Sequence, residues 1–279
     1  MLTTMLLLMT GAAPVTLHFA WPAKLSGTVK HTYTTRNDTK LPQFNAEATY
    51  RITVQDVEKE KGLRKLVPSD VKLPDMTSAM TVGEPLVVRF DERGAFKGIE
   101  HQPGDLFDRM VEHSPLPLPE DKKAEVRAQV EGMMNADAKE KWDELTGRWD
   151  GVTLTPGKPS KRTVKLRLGS MIGAFSPEGQ QEVECTEVTS VETGVACEDK
   201  TCVRLTVETT PSKPLPSKPD MMGMVTKQVT KRVVVVLEPA TLVPYSIHLE
   251  RADLVERDGK TERHLQLDDQ AFRYGAGKL

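Results

Sequence analysis

Two Glu-His pairs, Glu100-His101 and Glu112-His113, are the residues of this sequence whose types most directly suggest chemistry. They flank a short predicted helix and could meet as an ion or general-base site, although solvated residues at helix ends are the simpler interpretation. The other histidines are scattered, and no two of the six have the spacing of metal ligands on one face. No Gly-x-Ser-x-Gly, His-Glu-x-x-His or phosphate-binding loop occurs. We therefore predict no catalytic residue, metal ligand or cofactor, and expect a protein that is not an enzyme.

The three cysteines predict a disulfide. Cys197 and Cys202 enclose four residues between two strand-like runs, and a hairpin end can bring two such Cβ atoms within bonding range. Structural zinc takes four ligands, so this pair alone is a poor zinc site. We predict the Cys197–Cys202 bond. A bond between Cys185 and Cys202 across the hairpin, and three reduced thiols, are the alternatives.

Nine methionines lie beyond the first ten residues, several of them in predicted loops or on a helical face. Methionine is flexible and polarizable, so it suits surfaces that accommodate variable apolar ligands, although it also fills gaps in cores. The low aromatic content of 5% disfavours a carbohydrate surface. We predict a ligand site for a lipid or another apolar molecule, formed by residues of the helical segment: Met110, Val126, Val130, Met133, Met134 and Trp142.

The N-terminal segment, residues 1–23, has no acidic residue, lysine or arginine and resembles a secretory signal. An apolar core at Met5–Met9 precedes Gly11, Ala12 and Ala13; a first buried strand at Val15–Trp21 is the alternative. The run is too short and too interrupted to span a membrane, and no other segment is apolar enough. We predict export to the periplasm or cell envelope of a bacterium.

The remaining chain, residues 24–279, is predicted to be one β-rich domain with a helical insertion at about 104–147. Apolar residues recur at helical spacing in Gly104–His113 and in Glu120–Thr146, whose stripe makes it amphipathic. The predicted strands are Thr28–Thr35, Ala46–Val57, Leu63–Leu73, Leu86–Phe90, Ala95–Glu100, Arg162–Leu168, Gln181–Glu192, Cys202–Thr210, Val229–Glu238, Pro244–Glu256 and Thr261–Tyr274.

Strands, then helices, then strands predict the α+β class. The simplest way to bury the apolar faces is a curved antiparallel β-sheet, half-barrel-like, with the central helical segment packed on its concave face. A closed barrel, or a sandwich with a helical insertion, is the alternative. The charges nearly balance, with 38 Lys and Arg against 40 Asp and Glu, which argues against a nucleic-acid partner.

The segment Leu237–Pro244, which leads into Tyr245-Ser246-Ile247, is similar to the acidic-x-x-Thr-x-x-Pro turn of the periplasmic lipoprotein-carrier superfamily, the LolA/LppX-type half-barrels. The helical block between two strand sets resembles the same family, and other exported bacterial proteins share this order. The resemblance implies a sheet wrapped around helices with an acyl chain between them. It transfers no functional residue.

Our first hypothesis is a non-enzymatic exported binding protein that holds a lipid or other apolar ligand between sheet and helices. The second is a structural or protein-interaction module of the cell envelope with a fully packed core. The third is a hydrolase whose acidic or His residues converge in a cleft with shifted pKa values.

Overall fold

The computed structural model describes residues 13–37, 44–58, 60–75, 78, 85–100, 120–168, 181–215 and 225–275. Within these ranges the chain forms thirteen β-strands and one α-helix. The strands are β1 (Val15–Thr16), β2 (Ser26–Asn37), β3 (Phe44–Asp56), β4 (Leu63–Lys72), β5 (Val87–Asp91), β6 (Phe96–Glu100), β7 (Thr153–Leu154), β8 (Ser160–Leu168), β9 (Gln181–Cys197), β10 (Lys200–Pro211), β11 (Val225–Leu237), β12 (Pro244–Arg257) and β13 (Lys260–Tyr274).

Eleven of the strands form one antiparallel sheet in the order β6-β5-β4-β3-β2-β13-β12-β11-β10-β9-β8. Two meanders, β2 to β6 and β8 to β13, are joined where β13 pairs with β2. Strands β6 and β8 are the two edges and do not pair with each other, so the sheet is open. The large antiparallel sheet predicted from the alternating segments is confirmed.

Two predicted hairpins have the turns that their residues favour. Between β5 and β6, the Gly94 amide donates to the Asp91 carbonyl at 2.9 Å, and Gly94 has a φ of +76°. Between β12 and β13, Asp258 and Gly259 both have positive φ values, 51° and 73°. Glycine, aspartate and asparagine are the residues that tolerate this left-handed conformation best, so the turns fix the register of both strand pairs.

The helix α1 spans Glu120–Trp142 and continues into a π-helical turn, Asp143–Gly147, which confirms the predicted helix within one residue. Among its described side chains only Ala138 and Trp142 are buried. The prediction of a helical segment packed on the sheet is therefore confirmed for the end of α1, and the apolar side chains Val126, Val130 and Met133 of its earlier turns lie outside what the structure describes. The helix predicted at Gly104–His113 lies outside the described residues.

The segment before residue 24 belongs to the fold from Val15 onward. Strand β1 pairs with β7, with Val15 opposite Leu154. Leu17 is fully buried, and Phe19 and Trp21 are buried with it. The folded part of the chain thus begins before the predicted boundary at residue 24, as the alternative of a first buried strand requires. Residues 1–12 lie outside the described part of the chain.

Cys197 and Cys202 form a disulfide at the end of the β9–β10 hairpin, with their Cα atoms 5.9 Å apart. Cys185 is a free, buried thiol. It packs with Leu166, Val183 and Val229 in a second apolar cluster beside the main core. Of the pairings that the sequence leaves open, the structure thus has the bond within the hairpin.

Candidate functional site

Four aromatic side chains form one cluster of stacked and edge-on rings at one end of the strands. Trp142 stacks on Phe90 with ring centroids 4.9 Å apart, and Trp21 meets both rings edge-on at 5.4 and 5.7 Å. Phe19 stacks on Trp21. The Trp142 indole donates to the Gly94 carbonyl at 2.7 Å, and the Trp21 indole to the Leu242 carbonyl at 3.0 Å. This aromatic plug (Phe19, Trp21, Phe90 and Trp142) holds the end of α1 and the N-terminal segment together.

The turn between β11 and β12, which carries the family-like pattern, packs against the same end. Its backbone accepts hydrogen bonds from the amides of His18 and Ala20, at Pro239 and Thr241 respectively. Leu242 adopts a φ of +57° and is fully buried. The residues that resemble a carrier family therefore build the plugged end of this sheet.

The face of the sheet that contacts α1, which we call the helix-side face, changes from apolar to polar along its strands. Next to the plug, Val29, Tyr50 and Phe272 lie side by side on β2, β3 and β13 and are buried. Farther along, directly opposed residues form one polar row across seven strands: Thr35, Gln266, Arg251, Lys231, Thr209, Glu187 and Arg162. The face therefore has an apolar end and a charged belt.

Lys231 of the polar row anchors α1. Its ammonium contacts the carboxylate of Glu144, and Glu140 lies 2.6 Å away. The Lys231 and Glu144 side chains are only 11% and 9% exposed. Burial raises the pKa of Glu144, and the neighbouring Glu140 adds to the shift, while Lys231 opposes it. Desolvation acts against the charge of Lys231, but the two carboxylates outweigh it and raise its pKa.

Glu187 of the polar row anchors the residue after the π-helical turn. Its buried carboxylate accepts from Arg148 at 2.9 Å and from Arg162 at 2.6 Å. Burial alone would raise the pKa of Glu187, but the two guanidinium groups outweigh it and lower the value. Two arginines on one buried carboxylate keep Glu187 ionised and bind the chain after α1 to β9 and β8.

A further charged group lies on β13 and β2, on the other side of β12 from the Lys231 anchor. His31 Nε2 lies 2.8 Å from Asp268 Oδ1, and both side chains are nearly buried. Burial raises the pKa of Tyr33 on the same face, and the Asp268 charge adds to it, while Lys141 of α1 lowers it. Burial would raise the pKa of Asp268, but His31 and Lys141 lower it. The Lys141 side chain, which pairs with Asp137, is nevertheless 60% exposed.

The predicted ligand residues are only partly placed. Trp142 is 3% exposed and belongs to the aromatic plug, and Met134 is half-buried on α1. Val126, Val130 and Met133 lie within α1, but their side chains are outside what the structure describes. Met110 lies outside the described residues altogether.

The polar row was missed from the sequence, although strand periodicity contains a signal for it. Lys231 is in phase with the buried residues Val229, Val233 and Val235, so a lysine at that position must face inward and needs a carboxylate partner. Glu187 is likewise in phase with Cys185 and buried Val191. The identity of their partners depends on where α1 docks, which no local pattern specifies.

A shallow surface depression of about 470 Å³ lies away from these residues and is lined by Pro22, Lys24, Leu25, Ser26, Arg51, Tyr274 and Gly275. In the part of the chain that the structure describes, no group of three or more His, Cys, Asp or Glu side chains is arranged to hold a metal ion. None of the described helices is long and apolar enough to cross a membrane.

No known family model matches the chain, and no curated protein matches it in sequence. Among solved structures, one titled "Lipid-protein interactions in lipovitellin" is similar with a TM-score of 0.42 and 10% identity, over 93% of this chain. This chain spans only about a quarter (26%) of that one. The hypothetical lipoprotein YmcC from Escherichia coli has a TM-score of 0.27 and 11% identity, over 88% of this chain and 87% of its own. At these scores neither structure carries an argument about function.

Proposed function

We propose that this protein is a non-enzymatic binding protein that holds an amphipathic ligand, such as a lipid, between α1 and the helix-side face. The observation that carries the proposal is the exposure of Lys141 on the side of α1 that faces β2 and β13. Its charge acts on Tyr33 and Asp268 of the sheet, yet most of its side chain is accessible to solvent. We expect a ligand to occupy the region between the anchors of α1, where Lys141 remains accessible.

The positions of the anchors support a sheet that curls around α1. Asn135 bonds to the β6 backbone at Ile99, and Arg148 bonds to Glu187 on β9. Nine strand spacings separate β6 from β9, about 43 Å in a flat sheet at roughly 4.8 Å each. The thirteen residues from Asn135 to Arg148 span only about 20 Å as a helix. A concave helix-side face reconciles the two lengths.

The polarity of that face gives the ligand an orientation. An apolar chain fits the end next to the aromatic plug, where the half-buried Leu249 offers aliphatic surface beside the buried Ile247. A polar headgroup fits the belt that contains Arg251 and Gln266. Burying an apolar chain stabilises a complex by about 0.8 kcal/mol for each CH₂ group, so a chain of moderate length supplies micromolar affinity without any specific polar contact.

The disulfide supports an exported protein, because such bonds persist in oxidising compartments such as the bacterial periplasm. Together with the signal-like first residues, it favours a carrier or receptor of the cell envelope over a cytosolic protein. A lipid that must cross an aqueous compartment needs a protein that covers its acyl chain.

The test combines ligand detection with two matched variants of the full-length protein. Leu249 and Leu267 are both half-buried and lie on neighbouring strands, but Leu249 is on the helix-side face and Leu267 on the opposite face. We expect native mass spectrometry to show a co-purified lipid, and the protein to bind a dansylated C11 fatty acid. Leu249→Trp, which fills the space, should weaken that binding about tenfold, and Leu267→Trp should leave it within about twofold.

The proposal fails if the wild-type protein binds neither lipid nor probe. It also fails if the two tryptophan variants weaken binding equally. Failure of both readouts would favour the second hypothesis, a packed envelope module that acts through a protein partner.

A further inference from the structure

The two edges of the large sheet are treated differently. At β6, the backbone amide of Ile99 donates to the Asn135 side chain of α1 at 3.1 Å, so the helix covers that edge. At β8, the only strand neighbour within the described chain is β9. Residues 160–163 and Lys165 of β8 are exposed. An edge strand presents a row of unpaired amides and carbonyls that another extended segment can bond.

This edge, which no other described strand covers, is strongly basic. Between Gly151 and Pro177 the sequence has five basic residues, Lys158, Lys161, Arg162, Lys165 and Arg167, and no acidic one. The Lys165 and Arg162 side chains are 76% and 52% exposed. The chain as a whole has a net charge of −2, so positive charge is concentrated at this edge. Such a field attracts and orients a negatively charged partner.

The acidic residues of β9 beside β8, Glu182, Glu184 and Glu187, are fewer than the basic residues of the edge, so they neutralise it only in part. On β9, Glu187 is buried between Arg148 and Arg162, so this group of one carboxylate and two guanidinium groups carries a net charge of +1. Glu182 pairs with Lys165 at 3.2 Å. Lys161 lies opposite the uncharged Val188. Lys161 is exposed and has no glutamate directly opposite it on β9.

We infer that β8 is a docking edge for an extended acidic segment of another protein, which adds to the sheet as a further antiparallel or parallel strand. Alternating glutamates on that segment would pair with Lys161 and Lys165, and its backbone would bond the free edge. A second copy of this chain fits poorly, because β8 against β8 sets lysines and arginines against each other. This surface is separate from the proposed ligand space and does not depend on it.

The experiment uses the full-length protein and a fluorescein-labelled nine-residue peptide in which glutamates alternate with valines and threonines. We expect saturable binding by fluorescence anisotropy and, on binding, slower hydrogen exchange of the β8 amides. Replacing every glutamate by glutamine should weaken binding at least about tenfold, as should Lys161→Glu/Lys165→Glu in the protein. The control Lys30→Glu/Lys97→Glu makes the same change of charge elsewhere on the surface and should stay within about twofold.

Two further probes separate strand addition from mere attraction of charge. A peptide N-methylated at alternate residues keeps its glutamates but cannot complete the backbone ladder, so it should lose binding. Equal binding of the methylated peptide, or no protection of β8, would overturn the inference. So would absence of binding to any acidic peptide, in which case the lysines only prevent edge-to-edge association. Binding to phosphatidylglycerol vesicles without binding to the peptide would assign the edge to a membrane surface instead and equally refute a protein partner.

Discussion

Removing the Lys231 ammonium should lower the free energy of unfolding by much more than the loss of an exposed surface charge does. Lys231→Met keeps most of the side-chain length but removes the ammonium that contacts the carboxylates of both Glu144 and Glu140. Glu144 then has to remain ionised while buried or take up a proton. Both outcomes favour the unfolded chain at neutral pH, in which the carboxylate is hydrated.

The size of the effect follows from burial. Breaking a buried ion pair by removing one partner typically costs about 3–5 kcal/mol, and because both side chains retain about a tenth of their exposure we expect about 3 kcal/mol. The double variant Lys231→Met/Glu144→Gln removes the stranded charge and should recover about 2 kcal/mol of that loss. The exposed pair of Lys30 and Glu47 supplies the control, since Lys30→Met should change stability by less than about 0.5 kcal/mol.

The assay is urea unfolding followed by tryptophan fluorescence and circular dichroism. It compares the wild type with the single variants Lys231→Met and Glu144→Gln and with the double variant. The pH adds a second criterion. Because the pKa of Glu144 is raised in the folded state, protonation relieves the stranded charge, so the deficit of Lys231→Met should shrink as the pH falls from 7 towards 5. The reasoning is wrong if Lys231→Met stays within about 0.5 kcal/mol of the wild type, or if the two single effects simply add.

Three further outcomes are expected in the same unfolding assay. Because the pKa of Glu187 is lowered in the folded state, its stabilisation is complete above the ordinary glutamate pKa of 4.5 and is lost as the pH falls through the pKa of the folded state. The higher stability of the wild type relative to Glu187→Gln should therefore disappear between about pH 5 and 3. A stability difference that does not change with pH would contradict this. Trp142→Phe leaves the Gly94 carbonyl without its indole donor and should cost about 2 kcal/mol, and no loss would show that water replaces the bond. Reducing the Cys197–Cys202 bond opens a loop of about six residues and should cost about 2 kcal/mol by loop entropy, with Cys197→Ser/Cys202→Ser giving the same loss; a much larger loss would mean that the bond also shapes the hairpin.

The strands could be predicted because their information is local. Alternation in β3 places Ala48, Tyr50, Ile52 and Val54 on one face, and all four are buried. The Asp-Gly sequence between β12 and β13 favours a two-residue hairpin turn whatever the rest of the chain does. The pairing of β2 with β13 could not be predicted in the same way, since it joins residues more than two hundred positions apart and no local pattern distinguishes it from other pairings.

The candidate site was predictable only in part, for a related reason. The helical spacing that placed Trp142 on an apolar stripe does not reveal that its ring enters an aromatic cluster with Trp21 and Phe90. The methionines predict an apolar lining. The groups that fix α1 to the sheet are instead charged, and charged residues on a helix are ordinarily read as its solvated side.

These charges specify the direction in which α1 lies on the sheet. Glu144 and Arg148 are one helical turn apart, and they meet Lys231 on β11 and Glu187 on β9 in that order. A reversed helix would set Glu144 against Glu187 and Arg148 against Lys231, two like-charge contacts in a partly buried place. A shift by one turn would leave Glu187 without Arg148. Apolar packing at Trp142 tolerates small rotations and slides, whereas this alternation of charge rejects them, so the ion pairs contribute more to the register of α1 than to the net stability of the fold.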